Sequence, residues 1–239
     1  DDEVVVIMPC DPYTEAGYFE TIGKMVKCVE KNAAELVLMG IKPTYPSSKF
    51  GYVVPEPGDC GGYFKVQRFS EKPAADVAEQ LLARNAFWNG GVFAFKLGYM
   101  MRIVRKYFNS DCFEEVRANY SAFPKISFDY AVMEKTDRAV VIPASFGWAD
   151  IGNWETLYEN MSTPDEGGNV TDIEGKHLFK DNENSIIFST SNGKLMAVKG
   201  LKDMIVVDTA DVLMICPRDD SSIKQFLSEL ALPQFEEFR

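Results

Sequence analysis

Two unbroken apolar runs with one amphipathic helix between them set the frame of this chain. Residues 4–8 read VVVIM, and residues 35–41 contain LVLMGI. Runs of this kind are the pattern of strands covered on both faces. Between them Tyr18, Phe19, Ile22, Met25, Val26 and Val29 recur at helical spacing, which predicts a helix over 18–32. Strand, helix and strand make a βαβ unit with a right-handed crossover, and so an α/β domain built on a parallel sheet. The 239 residues and their 46% hydrophobic content supply a core for one large domain or two smaller ones.

The strand at 4–8 ends in Pro9-Cys10-Asp11-Pro12. Asp11 therefore stands where open α/β sheets place ligand chemistry, and it is equally a turn-forming Asp beside a proline. Gly51 opens an extended segment, either for close backbone approach to a ligand or for a bulge. An alternating stretch over 63–69 leads into Ser70-Glu71-Lys72-Pro73, where Glu71 and Lys72 also read as an ordinary exposed charge pair. A helix is expected over 74–85. Phe87-Trp88-Asn89-Gly90-Gly91 signals a turn before the strand at 92–95, and Asn89 is a usual turn residue. Met100, Met101, Val104, Tyr107 and Phe108 mark another helix facing the core. Ser127 reads as the cap of a helix over 128–135, with Asp129 in its first turn.

A short buried strand, RAVVI over 138–142, is followed by Phe146 to Trp154, FGWADIGNW. Asp150 sits on this glycine-flanked turn after a strand. It is either a ligand-binding carboxylate or the cap of the helix that follows. If Asp11 and Asp150 both follow strands of one parallel sheet, they face one cleft.

Charge narrows the partners. The chain carries 25 basic and 36 acidic residues, a net charge of −11. This disfavours a nucleic acid polymer, while a small anion needs only a few local cations or a metal. The five cysteines (Cys10, Cys28, Cys60, Cys112 and Cys216) form no C-x-x-C pair and read mostly as buried free thiols of a reducing compartment. The single histidine, His177, is structural and excludes a multi-histidine metal site. No run approaches the ~20 apolar residues of a membrane span, so no membrane partner is expected. The chain starts at Asp1 with a strand close behind, so it reads as opening inside a fold.

After Thr163 the composition shifts, and 164–168 reads as a linker. Short strands follow at 185–189, 195–199, 204–208 and 212–216 with no helix between them, the mark of a small β-domain or a few coils of a β-solenoid. A helix over 221–230 closes the chain. The domains are thus expected at 1–163 and 164–239.

FSEKP (69–73), FWNGGVFAF (87–95), SFDYAVMEK (127–135) and GWADIGNW (147–154) occur in an order that resembles the bacterial mannose-1-phosphate guanylyltransferases, or GDP-mannose pyrophosphorylases. The resemblance covers nearly the whole chain. It implies a Rossmann-like nucleotidyltransferase domain followed by a small β-helix-like tail, in a cytoplasmic, homo-oligomeric enzyme. The reaction implied joins mannose 1-phosphate and GTP into GDP-mannose and pyrophosphate with Mg²⁺. Asp11 and Asp150 stand at the family's metal ligands. Lys72 matches the lysine on the sugar phosphate, Glu71 the glutamate reading sugar hydroxyls, and Gly51 and Asn89 match positions lining the sugar pocket. Lys72, Asp11 and Asp150 are the implied catalytic residues. Two features depart from the family: Cys10-Asp11-Pro12 replaces Ala-Asp-His, and no Gly-rich G-x-G-x-R loop occurs in the sequence. An N-terminally truncated domain, inactive alone and with an exposed sheet edge, is the expectation. Another sugar 1-phosphate, another base, or a non-catalytic sugar-nucleotide-binding or oligomerisation module are the alternatives.

Overall fold

The structure, a computed structural model, describes residues 1–133, 136, 138–160, 163–220 and 222–238. The chain divides into two compact units, Asp1–Trp148 and Ala149–Arg239. That division lies ahead of the linker expected at 164–168.

The first unit holds a six-stranded sheet in the order β1 (Val4–Ile7), β6 (Phe87–Lys96), β3 (Leu36–Ile41), β7 (Ala139–Ala144), β5 (Phe64–Ser70) and β4 (Tyr52–Pro55). A two-residue strand, β2, spans Tyr13–Thr14, and another, β8, spans Trp148–Ala149. The sheet is mixed, which corrects the parallel one expected. β1 and β3 run the same way but are not neighbours, because β6 lies between them, antiparallel to both. Only β3 and β7 pair in parallel. The apolar runs reported burial, not partners, and the long apolar β6 bonds both runs. β1 is an edge strand rather than one covered on both faces: Ile7 is 43% exposed and Met8 50%.

β3 shows why its run is unbroken. Val37, Met39 and Ile41 pack with Tyr18, Met25 and Val29 of α1 (Gly17–Glu30) on one face. Leu36 and Leu38 face the other, against Phe93 and Phe95, where Met100 and Ile103 of α3 (Leu97–Tyr107) cover them. Each buried aliphatic side chain contributes roughly 1.5–3 kcal/mol. Just past the end of α1, Asn32 takes the left-handed φ of 55° that Asn tolerates at a helix stop. α2 (Ala75–Ala83) buries Ala78 and Leu81 beside α1's face of the sheet, and α4 (Phe113–Ala118) carries no buried residue. α5 is only Phe128–Ala131, and Ser127 makes no capping side-chain bond, so the expected longer capped helix is not formed within the described residues.

The second unit opens with α6 (Trp154–Asn160). β9 (Val170–Ile173), β11 (Ile186–Ser189) and β13 (Met204–Asp208) pair in parallel, as do β10 (Lys176–Lys180) and β12 (Leu195–Lys199), while β14 (Leu213–Pro217) closes antiparallel on β13. Parallel strands joined without helices are coils of a small β-helix, with two more strands than the pattern gave. Asn169 and Asn182 donate to the carbonyls of Asn182 and Val198 one coil on, tying successive turns. α7 (Ile223–Ser228) follows. His177 stacks on Phe179 at 4.7 Å. Cys28 and Cys216 are buried, whereas Cys10, Cys60 and Cys112 are exposed, which corrects the expectation of mostly buried thiols.

Candidate functional site

The site grows from one interruption in β6. Its first residues pair with β4 (Trp88 with Tyr52), and its last pair with β1 (Phe93 with Ile7). β3 occupies the opposite edge along both segments, with a register shift between Leu38 and Gly40. The intervening stretch, Gly90 to Val92, is therefore left without a ladder partner on the edge between the end of β1 and the start of β4. Gly91 turns the backbone there at φ 69°, and Pro9 packs against it: a Cβ at Gly91 would lie 3.4 Å from the Pro9 ring. The segment carrying Asp11 thus leaves β1 beside this gap. Asp11 itself is exposed.

Gly51 enters from the other side. The Asn89 N–H donates to the Gly51 carbonyl at 2.8 Å. Tyr52, fully buried, anchors the preceding loop: its hydroxyl accepts from the Ser47 N–H at 2.8 Å and donates to the Ser47 carbonyl at 2.9 Å. Because Ser70 pairs with Tyr52, the chain delivers Glu71 directly over Gly51. A Cβ at Gly51 would stand 2.5 Å from Glu71 Oε2 and 2.9 Å from the Phe69 ring. The absent side chain makes room for Glu71 and Phe69 of the chain itself, and the register shift of β4 lies further on, between Val54 and Pro55.

Glu71 and Lys72 differ in setting despite being adjacent. The Glu71 side chain is 14% exposed and that of Lys72 65%, with 3.6 Å between Lys72 Nζ and Glu71 Oε1. Lys72 adopts φ 41°, a left-handed conformation disfavoured for a side-chain-bearing residue. Strain of this kind at a charged surface residue goes beyond an ordinary exposed pair.

Asn89 is oriented by groups that local reading assigned elsewhere. Its Nδ2 donates to Asp129 Oδ1 at 2.8 Å, and its Oδ1 accepts from the Gly91 N–H at 3.2 Å. One N–H and one lone pair of the amide remain for a ligand. Asp129 is the residue that sequence reading missed. Its place at a helix start accounted for it locally, and nothing in the spacing signals a partner forty positions away. Behind the strand an aromatic group backs the site: Trp88 lies 4.9 Å from Phe50 and 6.4 Å from Trp148, ring to ring. Glu15 ties down the segment before Trp148, for its carboxylate accepts from the Gly147 N–H at 3.0 Å.

Asp150 belongs to the second unit and is exposed. It does not cap α6. Asn153 does, its Oδ1 accepting from the Thr156 N–H at 2.9 Å. Gly51, Glu71, Lys72 and Asn89 are thus brought together in the first unit, with the Asp11 segment alongside. Among the described residues no group of three or more His, Cys, Asp or Glu side chains could hold a metal ion. No helix of the described residues is long and apolar enough to cross a membrane.

Residues 1–166 match the nucleotidyl transferase family model, and residues 175–230 match that of the MannoseP isomerase/GMP-like beta-helix domain. Alginate biosynthesis protein AlgA of Pseudomonas putida is 32% identical over 96% of this chain and 50% of its own length. Mannose-1-phosphate guanylyltransferase ManC of Salmonella typhimurium is 35% identical over 78% of this chain and 42% of its own. The chain spans about half the length of the curated relatives it matches. A crystal structure from Thermus thermophilus, described as a mannose-1-phosphate geranyltransferase, superposes with a TM-score of 0.81 at 29% identity, covering 96% of this chain and 70% of that one.

Proposed function

Because this chain belongs to the nucleotidyl transferase family, we propose that its parent protein is a mannose-1-phosphate guanylyltransferase and that Gly51, Glu71, Lys72 and Asn89 form its sugar-phosphate subsite. The single observation that carries the reading is the packing of the Glu71 carboxylate over Gly51 beside the oriented Asn89 amide. A shielded carboxylate and a fixed amide are directional acceptors and donors for a polyol. The exposed Lys72 ammonium beside them supplies a point charge for a phosphate. The relatives named as guanylyltransferases support the same substrate pair.

The reaction asks little acid–base chemistry of the protein. An oxygen of mannose 1-phosphate, already anionic at neutral pH, attacks the α-phosphorus of GTP. The bond to the β-phosphate oxygen breaks and pyrophosphate leaves, so the protein's work is alignment and charge neutralisation. Glu71 and Asn89 would hold the sugar, and Lys72 would hold its phosphate in line.

Asp11 and Asp150 are the residues we propose as Mg²⁺ ligands. Each is an exposed carboxylate, a hard oxygen donor without a structural role that uses it up. Such a carboxylate suits a cation that completes its shell with phosphate oxygens and waters rather than with a protein cage. Mg²⁺ held by such a carboxylate would neutralise charge on the phosphates. We further propose that the catalytic part covers 1–163 and the β-helix-like tail 164–239, in a cytoplasmic homo-oligomer.

The test is steady-state kinetics of the full-length protein carrying Lys72→Ala. The KM for mannose 1-phosphate is expected to rise by about tenfold or more, that for GTP much less. An unchanged mannose 1-phosphate dependence would return Lys72 to a surface charge.

A further inference from the structure

A cavity lies at the amino ends of β3 and β7, the two central strands of the same sheet, and nothing in the proposed transfer uses it. It measures about 450 Å³, within the range of small-molecule sites. One wall is a single face of α3, where Tyr99, Arg102, Ile103, Lys106 and Tyr107 recur at the three- and four-residue spacing of one helical stripe. The other wall is made where two parallel strands begin. Glu35 immediately precedes β3 and Arg138 immediately precedes β7, and the Glu35 N–H donates to the Arg138 carbonyl at 3.1 Å. The buried Val132 side chain adds an apolar lining.

Among the described lining residues the charges do not balance: three are cations and one is a carboxylate, in a chain whose net charge is −11. Glu35 is taken by Arg102, with 2.6 Å between Oε1 and Nη2. Arg102 also lies over the Tyr99 ring at 5.6 Å, which fixes the guanidinium at the cavity wall. Among the described lining residues no carboxylate is left for Lys106 and Arg138, which stand on opposite walls. Two such cations match the dianion of a phosphate monoester, and the exposed Tyr107 ring with Ile103 and Val132 offers a surface for a flat ring.

We propose that this cavity is a second ligand site, separate from the sugar-phosphate subsite, which takes a nucleoside monophosphate: its phosphate between Lys106 and Arg138, its base against Tyr107. The location gives the site a mechanical connection. β3 and β7 begin at this cavity, and their carboxyl ends, with the start of β6, form the edge that carries Asn89. A ligand that braces the amino ends of these strands acts on the rigid elements that carry the other site.

Adenosine monophosphate is the suitable probe, since it is neither substrate nor product of the proposed transfer. Calorimetric titration of the full chain is expected to show AMP binding at least about tenfold tighter than inorganic phosphate or adenosine alone. Lys106→Gln combined with Arg138→Gln removes only exposed side chains, so folding is retained. That variant is expected to weaken AMP binding by about tenfold or more. Tyr107→Ala should weaken AMP and leave inorganic phosphate unaffected, and Lys72→Ala should leave AMP binding as it was. No AMP binding in the millimolar range overturns the proposal. So does AMP binding that survives the double substitution, adenosine or phosphate binding as tight as AMP, or loss of AMP binding in Lys72→Ala. Failure of the guanylyltransferase assay with these results intact would leave this site standing, so the two readings fall separately.

Discussion

Asn89 and Asp129, far apart in sequence, are joined side chain to side chain at 2.8 Å, and this bond decides which way the Asn89 amide faces. The amide's other end is set by the Gly91 N–H. With both ends engaged, the remaining donor and acceptor are aimed rather than averaged.

Asp129 is therefore a positioning residue, and Asp129→Ala is its test. The amide would lose its orientation, and the KM for the sugar phosphate is expected to rise about three- to tenfold, for a loss of roughly 1 kcal/mol. The KM for GTP should stay within about twofold. Asp129→Asn keeps an acceptor and should recover most of the loss. Equal damage to both substrates would mean that Asp129 acts only through stability.

Gly51→Ala puts a methyl group where Glu71 Oε2 and the Phe69 ring already are. Either the carboxylate or the backbone must yield. We expect destabilisation of about 1–3 kcal/mol in thermal or urea unfolding, with a weaker affinity for sugar phosphate. Pairing with Glu71→Ala should restore part of the stability, since the Phe69 ring still crowds the methyl group, but not affinity. A single substitution with wild-type affinity would show that Glu71 is displaced without consequence.

Asp208 contributes to the acid sensitivity of the second unit. The residue is 1% exposed. Lys194 Nζ at 2.7 Å, and after it the Ser189 hydroxyl at 3.0 Å, hold its pKa below the usual carboxylate range. A depressed pKa adds stability above the unfolded value, and that stability is lost as the pH falls through the folded value. The β-helix-like unit is thus expected to loosen below about pH 4, the ordinary carboxylate range. Hydrogen exchange of β11 and β13 across an acid titration should show it. Asp208→Asn should flatten that limb and lower stability at neutral pH. An unaltered acid limb in the variant would assign it to other carboxylates.

Residues 1–239 by themselves are expected to bind mannose 1-phosphate weakly and to release no pyrophosphate from GTP. The sequence holds no Gly-rich loop with arginine to cradle a triphosphate, and positioning is most of what such a catalyst contributes. The assay needs only purified chain, GTP, mannose 1-phosphate and Mg²⁺. Turnover like that of the full-length protein would place the triphosphate site within these residues.

Elements whose cause is local were legible in the amino acids alone. The β3 run, the α1 stripe, the Pro-limited end of β1 and the helix-free spacing of the tail strands each follow from burial period and turn chemistry within a few residues. The order of FSEKP, FWNGGVFAF, SFDYAVMEK and GWADIGNW likewise pointed to the family. Partners, by contrast, were settled only in three dimensions. An apolar run states that a strand is buried, not which strand bonds it, so the insertion of β6 between β1 and β3 was invisible. So were the unpaired gap at Gly90 to Val92, the hold of Asp129 on Asn89, and the replacement of Asp150 by Asn153 as the cap of α6. Lys72's left-handed turn and the cavity beneath β3 and β7 belong to the same class. They arise where segments distant in the chain meet, and single-sequence periodicity carries no record of such meetings.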